Sequence, residues 1–259
     1  AYDGNGNVSL FKSGMAHAGQ AQNTVGYSYD TRNLLLTEVQ AQGAAEVMTT
    51  RFDYDGNGNL THRREGFGTG SARVHVTAYD QFNRAVLRTD PLGNKTDYTY
   101  TPFGAVESVE WLDSEDTLFA EVFYEYDLSG RRTVTEVGHF DANEINIGDG
   151  DSLTEVEYED TSLPLTVTFE GTATTYAYDS MLRVASGTDA AGNSVAYAYD
   201  DNGNVTQETR SDLNEVTTLD EEFVTLFEYD WLDRLTKQRE RRTMPGDVDE
   251  YNDTVYGYD

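Results

Sequence analysis

The stretch Tyr197-Ala198-Tyr199-Asp200-Asp201-Asn202-Gly203-Asn204-Val205 decides the fold. Strand side chains alternate, so Tyr197 and Tyr199 lie on one face and Ala196 and Ala198 on the other. Asp200 suits the opening of a type I turn, and Gly203 suits the left-handed residue that closes it. Val205 then returns the chain to an apolar residue that opens the next strand. Strand, tight turn, strand is a β-hairpin.

Working outward, the same string recurs along the chain. Clear copies are Tyr27-Ser28-Tyr29-Asp30, Phe52-Asp53-Tyr54-Asp55, Tyr124-Glu125-Tyr126-Asp127, Tyr176-Ala177-Tyr178-Asp179 and Phe227-Glu228-Tyr229-Asp230, with looser ones at Tyr2-Asp3, Tyr79-Asp80, Tyr98-Thr99-Tyr100-Thr101 and Tyr256-Gly257-Tyr258-Asp259. The position matching Gly203 is Gly6, Asn33, Gly58, Asn83, Gly104, Gly130, Leu182 and Asp233 in the others, and only Leu182 resists a positive φ. The residue matching Val205 is apolar except at Arg132. A second turn of the same chemistry closes the unit from its other end, as in Asp90-Pro91-Leu92-Gly93-Asn94 and Asp189-Ala190-Ala191-Gly192-Asn193. A period of roughly 20 to 30 residues marks a stacked, solenoid-like array in which no unit buries its apolar face alone. The reading is therefore all-β: one array of tandem hairpins over 1–259, with insertions near 66–73, 105–123 and 139–155. The tyrosines are read as the packing layer between hairpins, each ring buried and each hydroxyl kept for a partner.

The formal charge is −29, from 47 acidic residues against 18 lysines and arginines. Such a surface repels phosphate backbones and anionic lipid, which argues against nucleic acid and membrane docking. No cysteine is present, which excludes disulfides and thiolate metal sites. No apolar run is long enough to span a bilayer. The chain opens inside one repeat and stops inside another, and we read it as an excerpt of a longer polypeptide.

Tyr-x-Tyr-Asp-x-x-Gly-[Asn/Arg]-[Leu/Val] and Asp-x-x-Gly-Asn-x-x-x-Tyr-x-Tyr resemble the YD repeats of the Rhs family. That family includes Rhs polymorphic toxins, toxin-complex C components, wall-associated YD-repeat proteins and the animal teneurins. The resemblance covers nearly the whole chain. It implies hairpins wound into a spiralling β-sheet shell that encloses a C-terminal toxin, in a secreted or cell-surface protein. The family's self-cleaving aspartate core is not visible, so no catalytic residue is carried over and no enzyme is expected. The implied partners are further repeats of the same polypeptide and an enclosed toxin domain. The competing reading is an extracellular adhesin that binds glycans or another cell through exposed aromatics in the insertions, with Phe67, Trp111 and Phe140 as candidates.

Other chemistry is sparse, and no cofactor is called for. Asp53-x-Asp55-x-Asn57-Gly58 copies the start of a calcium loop, but its twelfth position is Arg64 and Asp55 to Gly58 is the repeat turn. The oxygen-rich insertion carrying Asp141, Asn143, Asp149 and Asp151 reads either as a calcium loop or as a solvated acidic loop. The four histidines lack ligand spacing, and Arg239, Arg241 and Arg242 read as a charged strand face. Sequons at Asn7, Asn59, Asn94 and Asn204 follow turn glycines, so the repeat explains them; a fifth lies at Asn252.

Overall fold

The computed structural model describes residues 1–12, 24–40, 47–143, 145–147, 151–213, 220–243 and 250–258. All regular structure in them is β. The chain divides into two compact units, Ala1–Phe123 with Val137–Asp151, and Tyr124–Glu136 with Ser152–Asp259.

The first unit carries β1 (Leu10–Lys12), β2 (Thr24–Tyr29), β3 (Leu35–Gln40), β4 (Met48–Tyr54), β5 (Leu60–Glu65), β6 (Arg73–Tyr79), β7 (Ala85–Thr89), β8 (Lys95–Tyr100) and β9 (Val106–Leu112). The unit boundary falls within β10 (Leu118–Tyr126) and β11 (Arg132–His139). The second unit carries β12 (Ser152–Tyr158), β13 (Pro164–Phe169), β14 (Thr172–Tyr178), β15 (Val184–Thr188), β16 (Ser194–Tyr199), β17 (Val205–Leu213), β18 (Asp220–Tyr229), β19 (Leu235–Thr243) and β20 (Glu250–Val255).

From β1 to β10, and again from β12 to β20, each strand pairs antiparallel with the next in sequence. The register slips by one residue before Tyr29, Tyr54, Tyr79, Tyr100, Tyr178, Tyr199 and Tyr229, which hold the second-tyrosine position of their repeats. This bulge turns the strand into the Asp turn. The residues 66–72 form a connector between β5 and β6, whereas most of 105–123 is strand, joined by a tight turn at Asp113.

Burial is shallow. Among the described residues the buried apolar side chains are Val109, Val122 and Val224, and Val109 and Val122 are direct cross-strand partners. A sheet with so thin a core depends on its hydrogen-bonded edges and half-buried aromatics. No helix among the described residues is long and apolar enough to cross a membrane.

All nine sequence-predicted turn positions have positive φ, including Asn33, Asn83, Asp233 and the objecting Leu182 at 62°. Leu182 is 57% exposed, so its side chain gains little in return for the strained backbone. Asp179 fixes the conformation by accepting the amides of Met181 and Arg183 at 2.9 and 3.0 Å. Leu182→Asn is therefore expected to raise stability by about 1 kcal/mol, because asparagine adopts the left-handed region more cheaply. A thermal melt checks this: the midpoint should rise by about 2–4 °C. An unchanged or lower midpoint would mean that the leucine side chain repays the strain.

Candidate functional site

The most repeated chemistry is a carboxylate that organises each turn. In twelve turns an aspartate Oδ1 accepts the amide two residues on and the amide four residues on, from Asp3 to Asp230. Its Oδ2 commonly takes the side chain at the fourth position, Asn204 Nδ2 on Asp200 at 3.0 Å or Arg183 Nε on Asp179 at 2.7 Å. The sequon asparagines Asn7, Asn59, Asn94 and Asn204 all make this bond. Donated hydrogen bonds stabilise the charged form and hold these carboxyls below their ordinary range. The amide of Arg131 leads at Asp127 and that of Arg183 at Asp179, while the Asn204 amide group leads at Asp200. At Asp80 and Asp90 partial burial pushes upward and is the largest single effect, but the hydrogen bonds together outweigh it.

Neighbouring turns are tied together in two ways. Where both the second and the fourth residues are Asn, the two together clamp the left-handed residue of the next turn. Asn57 and Asn59 grip Asn83 Oδ1 at 2.9 and 2.7 Å, and Asn202 and Asn204 grip Asp233 Oδ1 at 2.9 and 2.8 Å. Where it is Arg, the guanidinium lies over a tyrosine of the next repeat. Arg84 stands 4.2 Å from the Tyr100 ring, Arg183 4.2 Å from Tyr199 and Arg234 4.5 Å from Tyr258.

The second tyrosine of each repeat completes the tie. Its hydroxyl donates to the carbonyl that starts the preceding return strand: Tyr54 to Leu35, Tyr79 to Leu60, Tyr100 to Ala85, Tyr178 to Pro164, Tyr199 to Val184 and Tyr229 to Val205, all at 2.7–3.0 Å. Even the degenerate repeat at Val156-Glu157-Tyr158 keeps this bridge, Tyr158 to Arg132 at 3.1 Å. Burial leads in raising the phenols of Tyr54, Tyr178 and Tyr229 above their ordinary value.

The binding candidates lie apart. Phe67 is 40% exposed in the β5–β6 connector, with Arg51 5.1 Å from its ring. Phe140 follows β11, and its ring lies against Gly138, where an added Cβ would come within 3.0 Å. Trp111, on β9, borders a half-open hollow of about 460 Å³ with Arg63, His75, Arg88, Thr77 and Thr96. Sequence reasoning missed these companions because cross-strand register alone brings them to the indole.

Of the calcium candidates, Asp141 is an ordinary turn aspartate that accepts the amides of Asn143 and Ile145, and Asp151 accepts Asn146 Nδ2 at 2.9 Å. Asp149 lies outside the described residues. Among the described residues no three His, Cys, Asp or Glu side chains are grouped to hold a metal. Asp53 is occupied by Arg51 and Arg64, and Asp55 by its own turn. Arg239 lies on β19 and pairs with Asp253 through two bonds of 2.7 and 2.9 Å; Arg239 first, then Lys237, hold the Asp253 carboxyl far below the usual range. Arg241 lies 3.7 Å from Glu222, and the Arg242 side chain lies outside the described residues.

Hairpins added one after another, each tied to the last by its turn and its tyrosine, define a β-hairpin repeat protein. Residues 182–214, which take in β15 to β17 and both kinds of turn, match the RHS Repeat family model. No curated protein matches the chain. Among solved structures it is similar to chains in the TcdB2-TccC3-Cdc42 crystal structure (TM-score 0.43, 10% identity, 98% of this chain and 17% of that one). It is also similar to the Tc holotoxin pore of Photorhabdus luminescens (TM-score 0.39, 11% identity, 86% and 15%). A porin-like protein from Bacteroides uniformis scores lower (TM-score 0.28, 12% identity, 85% and 96%). The chain spans less than a fifth of the length of the two toxin-complex chains.

Proposed function

We propose that this chain is a stretch of wall in an Rhs-repeat shell, secreted or delivered to a surface, that encloses a toxin or effector domain of the same polypeptide. The observation that carries the reading is the next-neighbour pairing of hairpins from β1 to β10 and again from β12 to β20, reinforced by a ladder of turn contacts. Such a wall extends by adding hairpins, and each new strand covers the free edge of the last. Its role is mechanical. The backbone hydrogen bonds run along the wall, the tyrosine bridges fix one hairpin against the next, and no nucleophile or general base is called upon. The partners are further repeats and the enclosed domain.

The test uses the natural parent polypeptide. Limited proteolysis of the native protein, followed by intact mass and terminal-peptide sequencing, should leave an unrelated C-terminal domain protected inside a resistant repeat region. Mild denaturation should release that protection. Digestion of the C-terminal domain at the same rate in both conditions would overturn encapsulation and favour a surface fibre or adhesin.

A further inference from the structure

We propose that the hollow beside Trp111 binds a carboxylate-bearing sugar, an inference independent of encapsulation. One cross-strand row builds it. Thr61 and Thr77 lie on β5 and β6, Arg88 on β7, Thr96 on β8 and Trp111 on β9, with Thr77↔Arg88, Arg88↔Thr96 and Thr96↔Trp111 as direct partners. Direct partners share a face, so the row presents hydroxyl, guanidinium, hydroxyl and indole side by side. Arg88 and Trp111 are two strands apart, about 10 Å, with Thr96 between them. The hollow of about 460 Å³ falls in the size range of small-ligand sites, about 300–1,000 Å³.

The charge of the hollow runs against that of the chain. Arg63, His75 and Arg88 border it in a protein of net charge −29. The carboxylate that lines it, Asp90, is already committed to the amides of Leu92 and Asn94 and to Asn94 Nδ2, and of the cations Arg63 is paired with Glu65. Arg88 differs from the turn arginines. Among the described residues its guanidinium has no carboxylate, and its contact is the Tyr98 ring at 5.3 Å, which steadies it without using its N–H donors. The hydroxyls of Thr77 and Thr96 on either side have no hydrogen-bond partner among the described residues, whereas that of Thr61 donates to the Asp53 carbonyl.

This set fits a hexuronate unit. The planar guanidinium matches a carboxylate in two-point geometry. The indole offers an apolar face to a sugar ring, and the threonines offer partners to ring hydroxyls. An acidic peptide fits less well, because sheet recognition of peptides works through free strand edges and β5 to β9 are paired on both sides. The protein's overall charge repels polyanions at long range. At physiological salt that repulsion is screened beyond about 8 Å, so the local chemistry decides.

The experiment uses the full chain carrying Trp231→Phe. Trp231 is 86% exposed, and Trp111 is the only other tryptophan, so the emission then reports the hollow alone. The protein is titrated with a short oligogalacturonate, with its methyl ester, and with an oligoglutamate of equal charge. The expected result is saturable quenching by the oligogalacturonate alone, weakened by about tenfold or more in Arg88→Gln, a loss of roughly 1.4 kcal/mol. Should the Arg88 variant misfold by circular dichroism, Thr96→Val serves in its place and should weaken binding by a smaller factor. The proposal is overturned if no quenching saturates, if the ester or the oligoglutamate binds as well, or if folded variants bind unchanged.

Discussion

Lowering the pH from 6 to about 2.5 is expected to unfold the array, with little loss of stability until about pH 4 and a steep loss below it. The twelve turn aspartates all have carboxyls held below their ordinary value of 3.8. At Asp200 the largest cause is the Asn204 side-chain hydrogen bond, partial burial opposes it, and the amides of Asn204 and Asn202 add to it. A carboxyl whose folded value is depressed contributes stability that is fully present above its unfolded value and is lost as pH falls through the folded one. The sensitive window therefore opens near pH 4 and extends downward. Above it the opposite trend operates. With 47 acidic residues against 18 basic ones, a falling pH lowers the net negative charge, which relieves self-repulsion and keeps the melting point level or rising. Below it, twelve turns lose their organising acceptor together, and the melting midpoint is expected to fall. Asp200→Asn separates turn chemistry from general charge. The amide oxygen still accepts both backbone amides, but its nitrogen opposes Asn204 Nδ2 and the group does not titrate. The variant should be less stable than the natural protein at pH 6, and the difference should close as the pH falls. A difference that stays constant from pH 6 to 2.5 would show that the carboxylate charge is irrelevant to the turn.

The hairpin array was legible because its decisive residues act locally. Asp200 needs only the amides of Asn202 and Asn204, so five adjacent letters specify the turn. Leu182 looked like an objection, yet it adopts φ 62° because Asp179 supplies the same bonds as the other turn aspartates. Arg132 broke the apolar pattern but still begins β11, with its guanidinium 5.1 Å from the Tyr124 ring. The tyrosine layer was legible in part. A hydroxyl seeking a partner was expected, but the carbonyl it reaches lies 14 to 26 residues back, at a distance set by the strands between. The hollow was hidden for the same reason. Trp111 could be named from its type, whereas Arg88, Thr77 and Thr96 become its neighbours only through register. Asp141 shows the converse: rich in oxygens on paper, it spends them on its own turn.

Replacing Tyr199 tests whether the wall is held by these long-range ties. Its hydroxyl donates to the Val184 carbonyl at 2.8 Å, Arg183 stacks on its ring at 4.2 Å, and the Tyr197 ring stands 6.4 Å away on the same face. Tyr199→Ala removes all three and should cost about 2–3 kcal/mol, below the loss for a fully buried aromatic because the ring is only half buried. Tyr199→Phe keeps the ring and loses the bridge, for a cost of about 1 kcal/mol. Tyr197→Phe is the control. Among the described residues the Tyr197 hydroxyl has no partner, so its loss should be close to neutral. Chemical denaturation of the three variants gives the ranking. Hydrogen exchange gives its location, because in a nearest-neighbour array the protection lost should centre on β14 to β17 and fade toward β20. Equal effects of Tyr197→Phe and Tyr199→Phe would reduce the tyrosines to a hydrophobic layer. A larger effect at Tyr199, confined to adjoining strands, would establish the hydroxyl bridge as the fastening between one hairpin and the next.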